Sequence, residues 1–246
     1  MKNRVLRVLV CGAAGRMGLA VRRELEANAG FSYAGGVDAK PAAGVAAPRE
    51  FPGLLAGADV VVDFSTPASA CFFAAACARA RKPFITGTTG FSKVDLAALK
   101  KASLRVPVFF SPNMSPAVNL TFALAALAAG RLKGFDIHIS EVHHKAKKDA
   151  PSGTALRYAG LVAAARGGRA PAVTSVRAGD IVGEHTVLYA GPHERVELIH
   201  RAHSRAVFAA GALTAAAWTA RRRTGFYDYF DLLGLRGLLS GSSKNL

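Results

Sequence analysis

Residues 5–18 read VLRVLVCGAAGRMG, an apolar run that leads directly into a turn with glycines at positions 12, 15 and 18. A strand followed by a glycine-rich turn and a helix lets backbone N–H groups approach a pyrophosphate, which the positive end of the helix also attracts. The spacing is GxxGxxG rather than GxGxxG, so the turn alone is a weak signal. Its place after an apolar run indicates the first strand of a dinucleotide-binding sheet.

The segments after this turn alternate between helix-like stretches and short apolar runs. In chain order they read RMGLAVRRELEAN, FSYAGGVD, ADVVVDFS, PASACFFAAACARA and KPFITG. This alternation predicts a parallel sheet with helices on both faces. After VPVFFSPN the pattern changes: a long helix-like segment leads to DIHISEVHH, and later runs are typical of a mainly antiparallel sheet. A last helix is expected over about residues 205–221.

The change near residue 115 and the helical return near 205 predict two domains. We assign 1–114 and 205–246 to a Rossmann-like dinucleotide-binding domain, and 115–204 to a smaller α+β domain. The predicted fold class is therefore α/β.

Composition limits the function classes further. Half of the 246 residues are apolar, and three cysteines form no CxxC pair, which favours free thiols in a reducing compartment and a cytoplasmic location. The apolar runs fall short of the roughly 18 residues that span a bilayer, so no membrane segment is expected. A net charge of +16 suits either nucleic acid or anionic small molecules. The cations are dispersed and no aromatic-spaced RNA-binding signature occurs, so nucleic acid is not an expected partner.

Asp38 lies 20 residues beyond Gly18, where a dinucleotide fold places a carboxylate for the adenosine ribose hydroxyls. The alternative is that the glycines only make a tight turn and Asp38 only ends a strand. Asp38 favours NADH because it repels a 2′-phosphate, whereas Arg16 or Lys40 attracts one. The choice between NADH and NADPH stays open.

Three further strand ends carry small polar residues. DFSTPAS offers Ser65 or Thr66 as a helix N-cap before Pro67, and ITGTTG and FSPNMS follow the next two strands. Ligands of open α/β sheets lie at the carboxyl ends of the strands, so these loops are expected to flank the nicotinamide half of the cofactor. Ordinary helix capping is the alternative for each loop taken alone.

Residues 141–155, EVHHKAKKDAPSGTA, place two histidines and three lysines before a helix start. If EVHH is extended, His143 and His144 point to opposite sides and Glu141 shares a face with His143. Histidine, lysine and a helix N-terminus together suit an anionic substrate that must also receive a proton. A solvated loop is the alternative. No metal site is expected, because the segment has no HExxH pattern or cysteine partner and adjacent strand histidines diverge.

EVHHKAKKDAPSGTA closely resembles the signature of the dihydrodipicolinate reductase family. VCGAAGRMG, VVDFSTP, ITGTTG, PNMSPAVN, GEHTVLYAG, HRAHSRAVFAAGAL and FYDYFDLLGL follow the family order over nearly the whole chain. The resemblance implies an NADH- or NADPH-dependent reduction of 4-hydroxy-tetrahydrodipicolinate in the diaminopimelate route to lysine. It also implies a dicarboxylate substrate and an open mixed sheet that assembles a homotetramer.

The resemblance also implies residue roles. His143 and Lys147 are the expected catalytic residues, and either can deliver the final proton. The expected substrate-binding residues are His144, Ser152, Gly153 and Thr154. The expected cofactor-binding residues are Gly12, Ala13, Ala14, Gly15, Arg16, Met17, Asp38, Gly87, Thr88, Thr89, Ser111, Pro112, Asn113 and Met114. Two other hypotheses are a different nicotinamide-dependent dehydrogenase acting on an amino or keto acid, and a basic protein that senses dinucleotides or binds nucleic acid.

Overall fold

The computed structural model describes residues 5–40 and 42–239; the ends of the predicted domain ranges, at 1 and 246, lie outside these residues. The strands are β1 (Leu6–Cys11), β2 (Phe31–Val37), β3 (Val60–Asp63), β4 (Phe84–Thr86), β5 (Pro107–Phe110), β6 (Asp136–His143), β7 (Ala172–Arg177), β8 (Gly183–Ala190), β9 (Arg195–Ala202) and β10 (Gly225–Tyr227). The helices are α1 (Arg16–Glu26), α2 (Phe51–Leu54), α3 (Pro67–Ala80), α4 (Lys93–Ser103), α5 (Pro116–Arg131), α6 (Gly153–Arg166), α7 (Ala206–Thr219), α8 (Tyr229–Leu232) and α9 (Arg236–Leu239).

The chain forms two compact units, each with its own sheet. Among the described residues, unit 1 contains those up to Ser115 together with Ala206–Leu232, and unit 2 contains Pro116–Arg205 and the segment Leu233–Leu239. The sequence-based assignment differs at this last segment, which it gave to the dinucleotide-binding domain. The reason is packing: the short α9 lies against α5, a helix of unit 2.

The sheet of unit 1 is parallel and has the strand order β10-β5-β4-β3-β1-β2. Its central strands β1 and β3 are buried on both faces, as their near-continuous apolar runs require. Strand register sets Cys11 beside Asp63, Asp63 beside Thr86 and Thr86 beside Phe110. The loops after β1, β3, β4 and β5 therefore leave the sheet side by side at its carboxyl edge.

Unit 2 contains a four-stranded sheet in the order β7-β6-β8-β9, in which β6 and β7 are parallel and the other pairs antiparallel. One face carries buried Ile139, Val187 and Tyr189, with the Tyr189 hydroxyl donating to the Ala125 carbonyl of α5 at 2.7 Å. Helices α5 and α6 pack against each other and against this sheet. The α/β fold class, with a parallel sheet and a second mixed sheet, is confirmed.

Helix α7 packs closely on the backbone at Met114, near the end of the first chain segment of unit 1. A Cβ atom added at Gly211 would lie 1.7 Å from the Met114 carbonyl oxygen, and the Tyr229 hydroxyl lies 2.8 Å from the carbonyl oxygens of both residues. No rotation of a side chain relieves a clash with backbone. The sequence VFAAGALTAA therefore needs glycine at this point of the helix.

We predict that Gly211→Ala lowers the free energy of unfolding by about 1–3 kcal/mol, because it overpacks a closed contact. Gly160→Ala is the matched control: it is also helical, exposed, and has no atom within 4 Å of the added Cβ. That variant should gain about 0.5–1 kcal/mol from helix propensity alone. Urea unfolding of both variants measures the difference, and equal effects of the same sign would contradict the packing account.

Candidate active site

The turn after β1 is closed to side chains at two glycines. Gly12 has φ +75°, and a Cβ atom there would lie 2.3 Å from the Phe64 carbonyl oxygen. A Cβ atom at Gly18 would lie 2.1 Å from the Gly12 carbonyl oxygen. Gly15 precedes α1 as its N-cap, so the helix begins with no side chain over its first N–H groups. The residues present therefore fit a pyrophosphate held by backbone at the start of α1.

Asp38 is fixed beside this turn. Its Oδ2 accepts from the Ala14 N–H at 3.1 Å and its Oδ1 from the Lys40 N–H at 3.0 Å. A cavity of about 220 Å³ opens here, lined by Gly12, Gly15, Asp38, Ser65 and Thr66 among others. The structure thus brings Asp38 and the glycine turn together around one space, and it adds Ser65 and Thr66 to the residues that line it.

The other predicted cofactor residues of the first turn differ in exposure. Ala13 is buried, Ala14 and Met17 are partly buried, and Arg16 is exposed at the first position of α1. Lys40 is also exposed. Both cations that bear on the choice of cofactor are therefore accessible to an anion.

The loops after β4 and β5 hold the remaining predicted cofactor residues. Gly87 lies against the Phe64 ring: a Cβ atom added at Gly87 would lie 2.2 Å from that ring. Thr88 is buried and Thr89 is exposed. In the next loop the Ser111 hydroxyl donates to the Asn113 carbonyl at 2.7 Å. Met114 is buried and Pro112 is exposed. Phe64, which no motif singled out, contacts both the β1 turn and the β4 loop.

Asp63 is a buried carboxylate that the sequence analysis did not select. It accepts from the hydroxyls of Ser65 at 2.5 Å, Thr86 at 2.7 Å and Thr88 at 2.8 Å. Burial raises its pKa to about 6, although these hydrogen bonds oppose the rise. One hydroxyl comes from the loop after β3, and the other two come from the last residue of β4 and the loop after it, so Asp63 joins the β3 and β4 ends. An acid ending the apolar run VVVD, with threonine ending the next strand, was the available signal.

In unit 2, His143 ends β6 and is almost fully buried. Its Nδ1 contacts the Glu141 carboxylate, which also takes two hydrogen bonds from Arg177 at 2.8 and 3.0 Å. Burial raises the pKa of Glu141, but the hydrogen bonds, led by those of Arg177, bring it down to about 2. An ionised Glu141 requires a proton on Nδ1 of His143, which leaves Nε2 as the reactive nitrogen.

The pKa of His143 is lowered, because burial disfavours the imidazolium more than Glu141 stabilises it. Its ring is neutral at neutral pH and is held by the carboxylate in one orientation. A Cβ atom added at Gly183 would lie 2.9 Å from His143 Nε2, so only glycine leaves room for this nitrogen. Gly183 belongs to the GEHTVLYAG segment and was not selected from the sequence.

His185 is a second buried histidine next to His143. The ring centroids are 5.2 Å apart, and burial lowers the pKa of His185 to about 3. Its Nε2 lies 3.2 Å from the Ser152 hydroxyl, and its Nδ1 has no hydrogen-bond partner among the residues described here. Arg177 lies outside the quoted motifs, and His185 lies within GEHTVLYAG but was not selected from the sequence. Strand pairing brings both residues next to β6.

The start of α6 is tied to the same network. Ser152 is the N-cap: its hydroxyl accepts from the Ala155 N–H at 3.2 Å, and its own N–H donates to Glu141 at 3.2 Å. The polar groups of Ser152 are thus used within the protein, whereas Gly153 is exposed and Thr154 is partly exposed. Glu141 therefore fixes both the histidine ring and the helix N-terminus.

The lysines of the segment differ in their surroundings. Lys147 is partly buried and its Nζ lies 2.8 Å from Asp149 Oδ1, while Lys145 and Lys148 are exposed. Strand β6 ends at His143, so His144 lies outside it. The expected alternation of side chains within a strand therefore covers Glu141 and His143 but not His144. Its carbonyl accepts from the Lys147 N–H at 3.0 Å, which makes a turn at this point.

Over residues 5–40 and 42–239, no three His, Cys, Asp or Glu side chains are grouped so that they could hold a metal ion. Within the same ranges, no helix is long and apolar enough to cross a membrane.

The closed glycine turn, the adjoining carboxylate and the buried acid–histidine pair define the class: a two-unit oxidoreductase with a dinucleotide-binding sheet. Family models place the chain within this class. The model described as dihydrodipicolinate reductase, N-terminus, matches residues 6–114, and the C-terminus model matches residues 117–233.

Curated relatives agree with the family models. The chain is 43% identical to the 4-hydroxy-tetrahydrodipicolinate reductase of Anaeromyxobacter dehalogenans strain 2CP-1, over 94% of this chain and 98% of the relative. It is 41% identical to the enzyme of the same name from Thiobacillus denitrificans, over 94% and 99%. The chain belongs to the dihydrodipicolinate reductase family, and the resemblance stated from the sequence is confirmed.

A solved structure shows the same fold. Dipicolinate-bound dihydrodipicolinate reductase from Paenisporosarcina sp. TG-14 superposes with a TM-score of 0.80 at 21% identity, covering 93% of this chain and 99% of that one.

We predict that Glu141→Gln moves the titration midpoint of His143 to lower pH. The carboxylate is what partly offsets the lowering of the His143 pKa by burial, so its loss lowers that pKa further. Histidine resonances followed by NMR over a pH series measure the shift. An exposed control, Glu197→Gln, should leave the midpoint unchanged. An unchanged or higher midpoint in Glu141→Gln would show that Glu141 does not control His143.

Proposed function

We propose that this chain reduces 4-hydroxy-tetrahydrodipicolinate to tetrahydrodipicolinate with NADH or NADPH, with His143 and Lys147 as its proton-transfer residues. The reaction and cofactor class rest on family membership. The observation that carries the residue roles is the buried Glu141–His143 pair beside a partly buried lysine and the start of α6. It follows that the enzyme acts in the diaminopimelate route to lysine.

The overall reaction replaces a hydroxyl group by hydrogen. It consumes one hydride and one proton and releases one water, so the protein must deliver a proton. The bound cofactor supplies the hydride. Lys147 can donate through its ammonium group, and His143 can take or return a proton at Nε2 because Glu141 holds Nδ1 protonated.

The substrate carries two carboxylates, and unit 2 has matching groups. The N–H groups of Gly153 and Thr154 begin α6, where the helix dipole favours an anion. Ser152 positions this helix start through its bonds to Ala155 and Glu141. The assignment of His144 to the second carboxylate rests on the family resemblance alone. In unit 1, the predicted cofactor residues of the β1, β4 and β5 loops, with Asp38, hold the dinucleotide.

We predict that His143→Ala and Lys147→Ala each lower kcat by about 10²- to 10⁴-fold, the usual effect of losing an acid or base. KM for the cofactor should be unchanged, because neither residue belongs to unit 1. Lys148→Ala is the matched control, since Lys148 is one position away and exposed. It removes the same charge and should retain nearly full kcat.

The measurement is a coupled assay with freshly made product of dihydrodipicolinate synthase, following NADH and NADPH oxidation in parallel. It tests substrate, reaction and cofactor preference together. Full activity in both variants would overturn the roles of His143 and Lys147. Absence of turnover by the unaltered chain would instead favour a dehydrogenase acting on another amino or keto acid.

A homotetramer assembled through the sheet of unit 2 belongs to the same proposal. The strand face opposite Ile139 and Val187 carries exposed apolar side chains, including Val176 and Ile199. An open face with such residues suits burial against a second copy of the chain. A cytoplasmic location is proposed from the free cysteines, since Cys11, Cys71 and Cys77 form no disulfide.

We predict that Ile199→Asp reduces the assembly from four chains to fewer, because a carboxylate on this face cannot be buried without a partner. Light scattering after size-exclusion chromatography gives the mass. Val94→Asp, an exposed apolar position of unit 1, is the control that should leave the mass unchanged. A single chain for the unaltered protein would disprove the tetramer.

A further inference from the structure

Unit 1 contains a second, larger cavity at the opposite edge of its sheet. It has a volume of about 780 Å³, and its walls include Leu6 and Phe31, which begin β1 and β2, and Pro107, which begins β5. Parallel strands place all their amino ends at one edge, so this cavity lies at the far edge from the glycine turn after β1. Its volume falls within the range of about 300–1,000 Å³ that small-molecule sites occupy.

Four arginines line this cavity: Arg81, Arg105, Arg221 and Arg222. The acid among the lining residues is Asp59, whose carboxylate already takes two side-chain hydrogen bonds from Arg7, at 2.9 and 3.1 Å. Among residues 5–40 and 42–239, no carboxylate forms an ion pair with any of the four lining guanidinium groups. The cavity is therefore strongly positive.

Helix capping explains only part of this charge. Arg81 follows α3, Arg105 follows α4, and Arg221 and Arg222 follow α7, so each lies past a helix carboxyl end. Each such end carries about half a negative charge, so three ends amount to roughly −1.5 against four cations. An excess of positive charge remains at the cavity after the helix ends are neutralised.

Two of the arginines have distinctive local structure. Arg81 adopts a left-handed backbone conformation, φ +55°, at the C-cap of α3, a position where glycine is usual. The guanidinium of Arg222 lies over the Trp218 ring, 4.3 Å from its centroid. Arginine at this position carries a conformational cost that glycine would avoid, which favours a use for its side chain.

Apart from Asp59 and Thr224, the rest of the wall is formed by apolar residues and Gly30. Leu6, Phe31, Val106, Pro107 and Ala217 form part of it, so a charged rim surrounds a surface suited to a flat organic group. Guanidinium groups bind phosphate oxygens in pairs, and several together favour a polyphosphate over a single phosphate. We propose that this cavity binds an organic polyphosphate of nucleotide size, with its phosphates at the arginine rim and its base on the apolar wall.

This site is separate from the dinucleotide site and accounts for part of the net charge of +16 that one cofactor and one dicarboxylate leave unexplained. The probe is fluorescently labelled ATP, titrated at fixed ionic strength with saturating NADPH present, so that the dinucleotide site is already filled. One saturable ATP site per chain is expected.

Arg105→Ala and Arg221→Ala should each weaken ATP binding by about tenfold, the usual cost of losing one hydrogen bond to a charged group. Arg79→Ala is the matched control: Arg79 is exposed, two residues from Arg81, and does not line the cavity. Its ATP affinity should stay within about twofold of the unaltered protein, which is less than one such hydrogen bond provides.

Arg81→Gly separates ligand binding from folding. Glycine suits the left-handed conformation, so the melting temperature should stay equal or rise while ATP affinity falls. Absence of saturable ATP binding with NADPH present would overturn the site. A loss of ATP affinity in Arg79→Ala equal to that in Arg105→Ala and Arg221→Ala would also overturn it. Displacement of ATP by a short duplex RNA at lower concentration than by unlabelled ATP would also overturn it, since the cavity would then be part of a nucleic-acid surface.

Discussion

Parallel pairing of the strands of unit 1 is the constraint on which its chemistry depends. Register places Cys11, Asp63, Thr86 and Phe110 in one row, so the four loops that follow these residues emerge together. The loop after β1 can approach the loop after β3 closely because Gly12 has no side chain at the Phe64 carbonyl. Asp63 then joins the third and fourth strand ends through three hydroxyl groups. The same pairing sends the helix carboxyl ends, with their arginines, to the opposite edge.

In unit 2 a single carboxylate has a comparable role. Glu141 is fully buried and accepts hydrogen bonds from His143, Arg177 and the backbone of Ser152. Its charge is compensated by Arg177, which is what makes an ionised acid acceptable in this position. The result is a histidine with one defined tautomer and a helix whose N-cap, Ser152, is fixed to the same carboxylate. The proposed proton-transfer residue and the proposed anion site are thus both held by Glu141.

Several features of the candidate site followed directly from sequence patterns. The glycine spacing and Asp38 predicted the turn and its carboxylate, because backbone approach to a pyrophosphate leaves few alternatives in residue type. The face shared by Glu141 and His143 followed from strand periodicity, and the Ser152 N-cap from the start of an apolar helical run. Arg177, Gly183 and His185 did not follow, since each joins β6 only through strand pairing or ring packing.

The sequence by itself determined the class of fold, the family and the segments in which the candidate site residues lie, because these depend on local patterns: alternating elements, a glycine turn and a fifteen-residue signature. Only the tertiary structure decided which residues control these segments. The assignment of the segment from Leu233 to unit 2, the bond from Arg177 to Glu141 and the gathering of four arginines around one cavity all arise from contacts between residues far apart in sequence. Such contacts are fixed by packing and register, which no local pattern specifies.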